Sequence, residues 1–262
     1  MRLDGSVRTL IDDGVMVSVI GVHVDPHRER ILVAYQDPGV GVRSGEATRL
    51  RQSGVGIFDL RSGALQHRVD LSAVPGGAEY IHGANDLAID KSGNAYVTDI
   101  VSSEIYRVRR DGTATLLLRD ERLGRDGVGP NGIIWHPGGY LLVVRYDTGA
   151  LWRIPVASPE RMTEVHLDTA LVGGDGMALR PDGTLAVVTN HLASTAASGV
   201  SVLRSTDGWA SAVTARQQPW PQPEQNPTTA TVTPLGTYVV EGRLGSLFSG
   251  TVTDEFTLRP LR

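Results

Sequence analysis

The sequence predicts an all-β fold made of tandem units, each with four short antiparallel strands. Short apolar runs alternate with turn residues along the whole chain, as in consecutive β-hairpins. The 31 glycines and 14 prolines of the 262 residues are scattered, so they punctuate many short elements and do not form a disordered tract. The same order of strands and turns also recurs at intervals close to the ~40–50 residues of a four-stranded repeat.

The repeat is clearest between His82 and Val156. One copy covers residues 83–108 and the next covers residues 129–156. Each copy contains an apolar run, a glycine-containing turn, a second apolar run, a polar loop and a third strand. Such meanders shield their edges by closing into a ring, so we predict a β-propeller that forms a single domain over residues 1–262.

Five blades are recognisable, and an additional strand precedes them at residues 5–11. The predicted strands are 20–27, 30–35, 55–60 and 65–71; 87–90, 95–98, 105–108 and 114–118; 133–136, 141–144, 151–154 and 163–167; the hairpin 176–189, with 200–203 and 212–214; and the hairpin 230–240, with 246–248 and 256–258. We interpret residues 37–53 as a mobile insertion. The Pro/Gln-rich residues 217–227 are interpreted as an extended connection.

Composition excludes several classes of site and partner. There is no cysteine, which removes disulfides and thiolate metal sites. The net charge is −4 without a basic cluster, so we expect no nucleic acid or anionic membrane partner. The first residues lack the apolar segment of a signal peptide, which favours a cytoplasmic protein, or a secreted one if the native N-terminus is longer. Nucleophile-elbow, phosphate-loop and zinc-protease motifs are absent.

The position just before each innermost strand is the candidate functional site. Aligning the units by their turns places five residues there: Ile20, Asn85, Asn131, Asp175 and Thr228. Three oxygen-bearing side chains that converge on one axis suit a hard divalent cation. The alternative is that asparagine and aspartate only cap the turns through local hydrogen bonds.

Three segments resemble the central motifs of the SMP-30/gluconolactonase/LRE-like family. They are Asn85-Asp86 followed by residues 93–99, Pro130-Asn131-Gly132, and residues 174–178 followed by Pro181-Asp182-Gly183. The family consists of six-bladed propellers related to lactonase and, more remotely, strictosidine synthase propellers. The resemblance implies a divalent cation, often calcium, with Asn85, Asn131 and Asp175 among its ligands.

The family's fourth ligand, a glutamate from the first blade, has no match in this sequence. We therefore expect either an N-terminally truncated six-bladed protein or a ring that closes with five blades. Both leave the site short of one carboxylate, which should weaken cation binding because affinity follows ligand charge.

The residues that follow each second strand should line the mouth of the channel. This set contains Tyr35, Gln36, Asp99, Arg145, Tyr146, Asn190, His191, Glu241 and Arg243, and His82 joins it from the loop that leads to Asn85. His191 and Arg145 are the preferred members, because imidazole moves protons near neutral pH and guanidinium binds carboxylates and oxyanions.

The leading hypothesis is a metal-dependent hydrolase that opens a lactone or related small ester, with Asp175 or His191 as the base and a small polar substrate. Two alternatives remain open. One is a metal-free propeller that binds a small ligand or catalyses a condensation, as the strictosidine synthase likeness allows. The other is a non-catalytic scaffold.

Overall fold

Five antiparallel sheets follow one another along the chain in the computed structural model, each forming one blade of a β-propeller. The structure describes residues 7–77, 79, 81–124, 127–222, 225–251, 253 and 255–261. The all-β fold and the five blades predicted from the repeat are confirmed. Among the described residues, no helix is long and apolar enough to cross a membrane.

The strands of the first three blades lie close to their predicted positions. Blade 1 contains β1 (Ser18–Asp25), β2 (Arg30–Gln36), β3 (Ser53–Asp59) and β4 (Leu65–Asp70). Blade 2 contains β5 (Ala84–Ile89), β6 (Ala95–Asp99), β7 (Glu104–Val108) and β8 (Ala114–Arg119). Blade 3 contains β9 (Pro130–His136), β10 (Tyr140–Arg145), β11 (Leu151–Pro155) and β12 (Thr163–Glu164). Short 3-10 helices occupy Pro26–Arg28, Glu121–Leu123 and Pro159–Arg161.

The last two blades differ more from the four-stranded pattern. Blade 4 contains β13 (His166–Leu167), β14 (Gly174–Leu179), β15 (Leu185–Thr189), β16 (Gly199–Arg204) and β17 (Ser211–Pro219). Blade 5 contains β18 (Pro227–Thr233), β19 (Gly236–Glu241) and β20 (Thr257–Pro260) among the described residues, together with the helix α1 (Leu244–Phe248).

Four predictions about individual strands are wrong. Residues 7–11 are irregular, and the rest of that predicted strand lies outside the described residues. The predicted strand 163–167 is divided: β12 pairs with blade 3, whereas β13 pairs in parallel with β17 of blade 4. Residues 246–248 belong to α1, where Asn226 Oδ1 accepts a hydrogen bond from Gly245 N at 3.0 Å. The predicted connection 217–227 is a strand as far as Pro219.

The loop at residues 37–53 is organised by one buried carboxylate. Asp37 accepts hydrogen bonds from Ser44 Oγ at 2.5 Å, from Thr48 Oγ1 at 2.7 Å and from Gly39 N at 2.8 Å. These bonds hold the pKa of Asp37 below its usual value, although burial acts in the opposite direction.

The middle strands read as continuous apolar runs because both of their faces are covered. Every residue of β2 is buried, and the same is true of β6. Side chains on the two faces of a blade pack against different neighbours. One apolar cluster fills each interface between consecutive blades, from blades 1 and 2 to blades 4 and 5. On its other face, blade 1 is covered by Met16, Leu10 and Ile11 of the N-terminal segment.

The innermost strands β1, β5, β9, β14 and β18 contact one another in that order. Among the described residues the series ends there, since β18 makes no comparable contact with β1. The apolar side chains of β1 accordingly stay exposed, with Val22 at 55% and Val24 at 50%.

Close contact between neighbouring inner strands depends on glycine. A Cβ atom on Gly132 would lie 2.1 Å from the Asp175 carbonyl oxygen, which is backbone and cannot rotate away. We expect Gly132→Ala to lower the free energy of unfolding by about 1–3 kcal/mol, the usual cost of overpacking. Chemical denaturation measures the change, and Gly14→Ala is the control, because its Cβ would meet nothing within 4 Å. Equal stability of the two variants would contradict the close approach.

Candidate functional site at the inner strands

The aligned position of every blade coincides with a β-bulge. The register between the first and second strands shifts once in each blade. In blades 2, 3 and 4, the pairs Asn85-Asp86, Asn131-Gly132 and Asp175-Gly176 each oppose a single residue of the next strand. Because a bulge leaves a residue outside the ladder and redirects its side chain, these positions are freed from regular strand pairing.

Neighbouring bulges lie directly against one another. A Cβ on Gly21 would come within 2.7 Å of the Asn85 carbonyl, and one on Gly176 within 2.1 Å of Thr229 Oγ1. Blade 2 has Asp86 where these blades have glycine. Its Oδ2 accepts a hydrogen bond of 3.4 Å from Ile133 N of blade 3, so the carboxylate reaches the neighbouring inner strand.

Asp175 is held by two amide side chains. Asn190 Nδ2 donates to Asp175 Oδ2 at 2.6 Å, and the Asn131 side chain also lies beside this carboxylate. Asn190 is itself fixed, since its Oδ1 accepts from Tyr146 OH at 2.6 Å and its Nδ2 donates to the Pro227 carbonyl at 3.0 Å. The structure thus brings together Asn131 and Asp175, two of the predicted site residues.

The pKa of Asp175 is raised to about 7, mainly by burial; the nearby Asp86 carboxylate acts in the same direction, whereas the hydrogen bond from Asn190 lowers the pKa. Burial also raises the pKa of Asp86, whereas nearby His23 lowers it. Asn131 Oδ1 is buried and accepts no hydrogen bond from the described residues. We call Asn85, Asp86, Asn131 and Asp175 the bulge cluster; the last three lie near one another, and Asn85 is included for its position in the bulge of β5. The cluster is rich in negative oxygen atoms and poor in compensating positive charge.

The other predicted catalytic residues have contacts outside the bulge cluster. Arg145 forms a two-pronged ion pair with Asp147, at 2.5 Å and 2.6 Å, and donates to the Arg122 carbonyl at 3.1 Å. With Trp152 and His166 it lines an open cleft of about 640 Å³. His191 is exposed, and its Nδ1 lies 2.9 Å from Ser198 Oγ.

Most residues predicted to line the mouth are buried instead. The buried members are Tyr35, Gln36, His82, Asp99, Tyr146, Asn190 and Glu241. Glu241, for example, accepts from Trp220 Nε1 at 2.7 Å and from Arg259 Nε at 2.8 Å. The polar residues at these strand ends therefore tie loops to the blades, and they do not form an open polar rim.

Sequence reasoning missed two residues of the site. Asp86 occupies the place of Gly21, Gly132 and Gly176 in the aligned units, and that substitution was the available signal. The second is His23, which is half-buried and close enough to Asp86 to affect its pKa. Its position two residues after Gly21 places it on the same face of β1.

Comparisons with known proteins support the fold. No protein-family model and no curated protein matches the chain. The chain is similar in structure to the major allergen Mala s 1 of Malassezia sympodialis, with a TM-score of 0.67, 18% identity and coverage of 92% of this chain and 78% of the allergen.

It is also similar to virginiamycin B lyase from Staphylococcus aureus, solved with quinupristin, with a TM-score of 0.60, 15% identity and coverage of 96% and 73%. A streptogramin B lyase gives a TM-score of 0.60, 14% identity and coverage of 96% and 72%. At these identities the similarity establishes a β-propeller, whereas membership of the SMP-30/gluconolactonase family is not established.

Proposed function

We propose that the bulge cluster holds a divalent cation and that the protein opens a lactone or related small ester there. The observation that carries this proposal is the proximity of two half-buried carboxylates, Asp86 and Asp175, beside a buried amide oxygen of Asn131 that has no partner among the described residues. Buried carboxylates near each other are unfavourable when both are charged, and a cation relieves that cost.

The donor set fits a hard cation. Carboxylate and amide oxygens are the ligands that calcium and magnesium prefer, and affinity rises with the number of charged ligands. The expected weakness of the site came from the absence of the family's glutamate. Asp86 supplies a second carboxylate from a different blade, which supports binding by this chain without that residue.

Asp86, Asn131 and Asp175 would hold the cation, which would supply polarisation of an ester carbonyl and a lower pKa of bound water. Burial raises the pKa of Asp175 to about 7 in the metal-free protein. A bound cation would lower that pKa and keep the carboxylate charged as a ligand, so proton transfer by Asp175 suits the metal-free state. Asn190 orients the Asp175 carboxylate, and Tyr146 in turn fixes the Asn190 amide. His191 follows Asn190 directly and is exposed, so its imidazole is accessible from solvent.

A second candidate is a metal-free lyase or condensing enzyme. It is favoured by the pKa of Asp175, which is already suited to acid–base chemistry without a cation. The lyase neighbour is described as catalytically inactive when one histidine is replaced by alanine. In this chain, His23 lies close enough to Asp86 to affect its pKa, and His191 directly follows Asn190, which binds Asp175.

The stability of the protein should depend on pH through Asp175. Because its folded pKa is raised, the native state holds a proton that the unfolded chain has lost above pH ~4. This contribution to stability is complete below pH ~4 and disappears as the pH rises to about 7. We expect the melting temperature in chelator to fall across this window, and Asp175→Asn to remove that component.

Calcium at pH 7 should restore stability to the wild-type protein and have no such effect on Asp175→Asn. Asp182→Asn is the matched control, because Asp182 lies on the surface of the same blade. A pH profile identical in wild type and Asp175→Asn would show that the carboxylate is not perturbed as described.

Hydrolysis of a panel of γ- and δ-lactones tests the proposed activity. We expect EDTA to abolish turnover and calcium or magnesium to restore it. Asp86→Asn and Asp175→Asn should each lower kcat/KM by about 100-fold or more, because even outer-shell changes at metal sites cost 10–100-fold. Asp182→Asn should retain full activity.

The same assay separates the two candidate functions. Activity that survives EDTA but is lost in His191→Ala or His23→Ala would reject the metal-assisted mechanism and favour the metal-free one. Loss in His191→Ala alone, with metal dependence retained, would assign His191 to proton transfer.

A further inference from the structure

We infer that His82, Asp99 and Glu104 form a second metal site, structural in character and selective for a transition metal of the zinc type. One donor atom from each side chain lies within 4.8 Å of the other two. All three residues are buried: His82 is 3% exposed, and Asp99 and Glu104 are 0% exposed. This inference is independent of the function proposed above.

The two carboxylates are placed together by the sheet. Asp99 and Glu104 are direct cross-strand partners at the ends of β6 and β7. Like charges in such a pair repel each other. Both lie on the face that carries Val97 and Tyr106, and therefore at the edge of the apolar cluster between blades 1 and 2.

Arg119 compensates the charge of Glu104, whereas no described residue forms an ion pair with Asp99. Arg119 Nε donates to Glu104 Oε1 at 2.6 Å, Ser102 Oγ donates to Oε2 at 2.9 Å, and Tyr106 OH donates to the same oxygen. Asp99 accepts from neutral groups: Gly83 N at 2.8 Å, Ser102 N at 3.0 Å and Val101 N at 3.1 Å, with the Ser102 side chain also beside it. Burial raises the pKa of Asp99 in spite of these bonds.

The imidazole of His82 gives a second, independent indication that a metal binds here. Its Nδ1 is buried and has no hydrogen-bond partner among the described residues. An unsatisfied buried imidazole nitrogen is costly, and native structures rarely retain one without a reason. The backbone on both sides of the ring is fixed, because His82 N donates to the Leu50 carbonyl at 2.9 Å and Gly83 N donates to Asp99.

One imidazole and two carboxylates favour zinc, manganese or iron over calcium, which prefers oxygen ligands throughout. Zinc lies about 2.0–2.2 Å from nitrogen and oxygen ligands, so small side-chain rotations suffice to bring these donors around it. The existing donors to Glu104 and Asp99 would then orient the ligands from outside. Because Leu50 belongs to blade 1, a bound ion would link its insertion to blade 2.

Zinc binding by the full chain tests this inference. We expect wild-type protein, freed of metal and kept in excess calcium, to bind one equivalent of Zn²⁺ in competition with a chromophoric chelator, and its melting temperature to rise. His82→Ala should weaken zinc binding by 100-fold or more and lose the thermal shift. His27→Ala is the control for adventitious binding, because His27 is an exposed histidine of blade 1.

Two further measurements keep the test decisive. If His82→Ala does not fold in chelator, His82→Gln retains the size and polarity of the side chain and should show the same loss of zinc binding. Visible absorption of bound Co²⁺ should persist in Asp175→Asn and vanish in His82→Gln, which separates this site from the bulge cluster. Equal zinc affinity in wild type and both His82 variants, or no zinc bound by the wild type, would overturn the inference.

Discussion

The extra residue in every inner strand is the constraint on which the centre of this protein depends. A regular antiparallel ladder alternates its side chains between two faces, and both faces of each blade are needed for packing against its neighbours. A bulge at one level of all five inner strands releases one position per blade from that alternation. Polar side chains can therefore gather at the axis while the apolar clusters between the blades remain complete.

The repeat made the fold and the aligned positions predictable, because turn residues recur at the same place in each unit and set its register. Side-chain direction at the strand ends was less predictable. Asn190 and His191 are adjacent, yet Asn190 binds Asp175 and His191 points to Ser198 and solvent. A shift of one residue reverses the face, so a prediction that places both at the mouth cannot choose between them.

Other differences arise from tertiary contacts that a unit-by-unit alignment does not contain. Val165 is buried between β12 and β13, and its N donates to the Leu151 carbonyl, so the chain crosses there from blade 3 to blade 4. Asp86 was visible in the sequence as a carboxylate among glycines. Its role depends on the contact between neighbouring bulges, which the sequence does not show. That contact brings the Asp86 carboxylate towards Asp175.

The two proposed cation sites use opposite faces of the same strand pair. Thr98 lies opposite the bulge of β5, and its Oγ1 donates to the Asn131 carbonyl of blade 3 at 2.7 Å. The next residue, Asp99, faces blade 1 and His82. Successive side chains of β6 point to opposite faces. The bulge cluster, which has only oxygen donors, therefore lies on one face, and the site with the His82 imidazole lies on the other, between blades 1 and 2. Because hard cations prefer the first set and zinc-type ions the second, each site would select its own metal without competing for the other. An ion that linked blades 1 and 2 would also reduce the movement of β5, and with it the spread of positions available to Asn85 and Asp86.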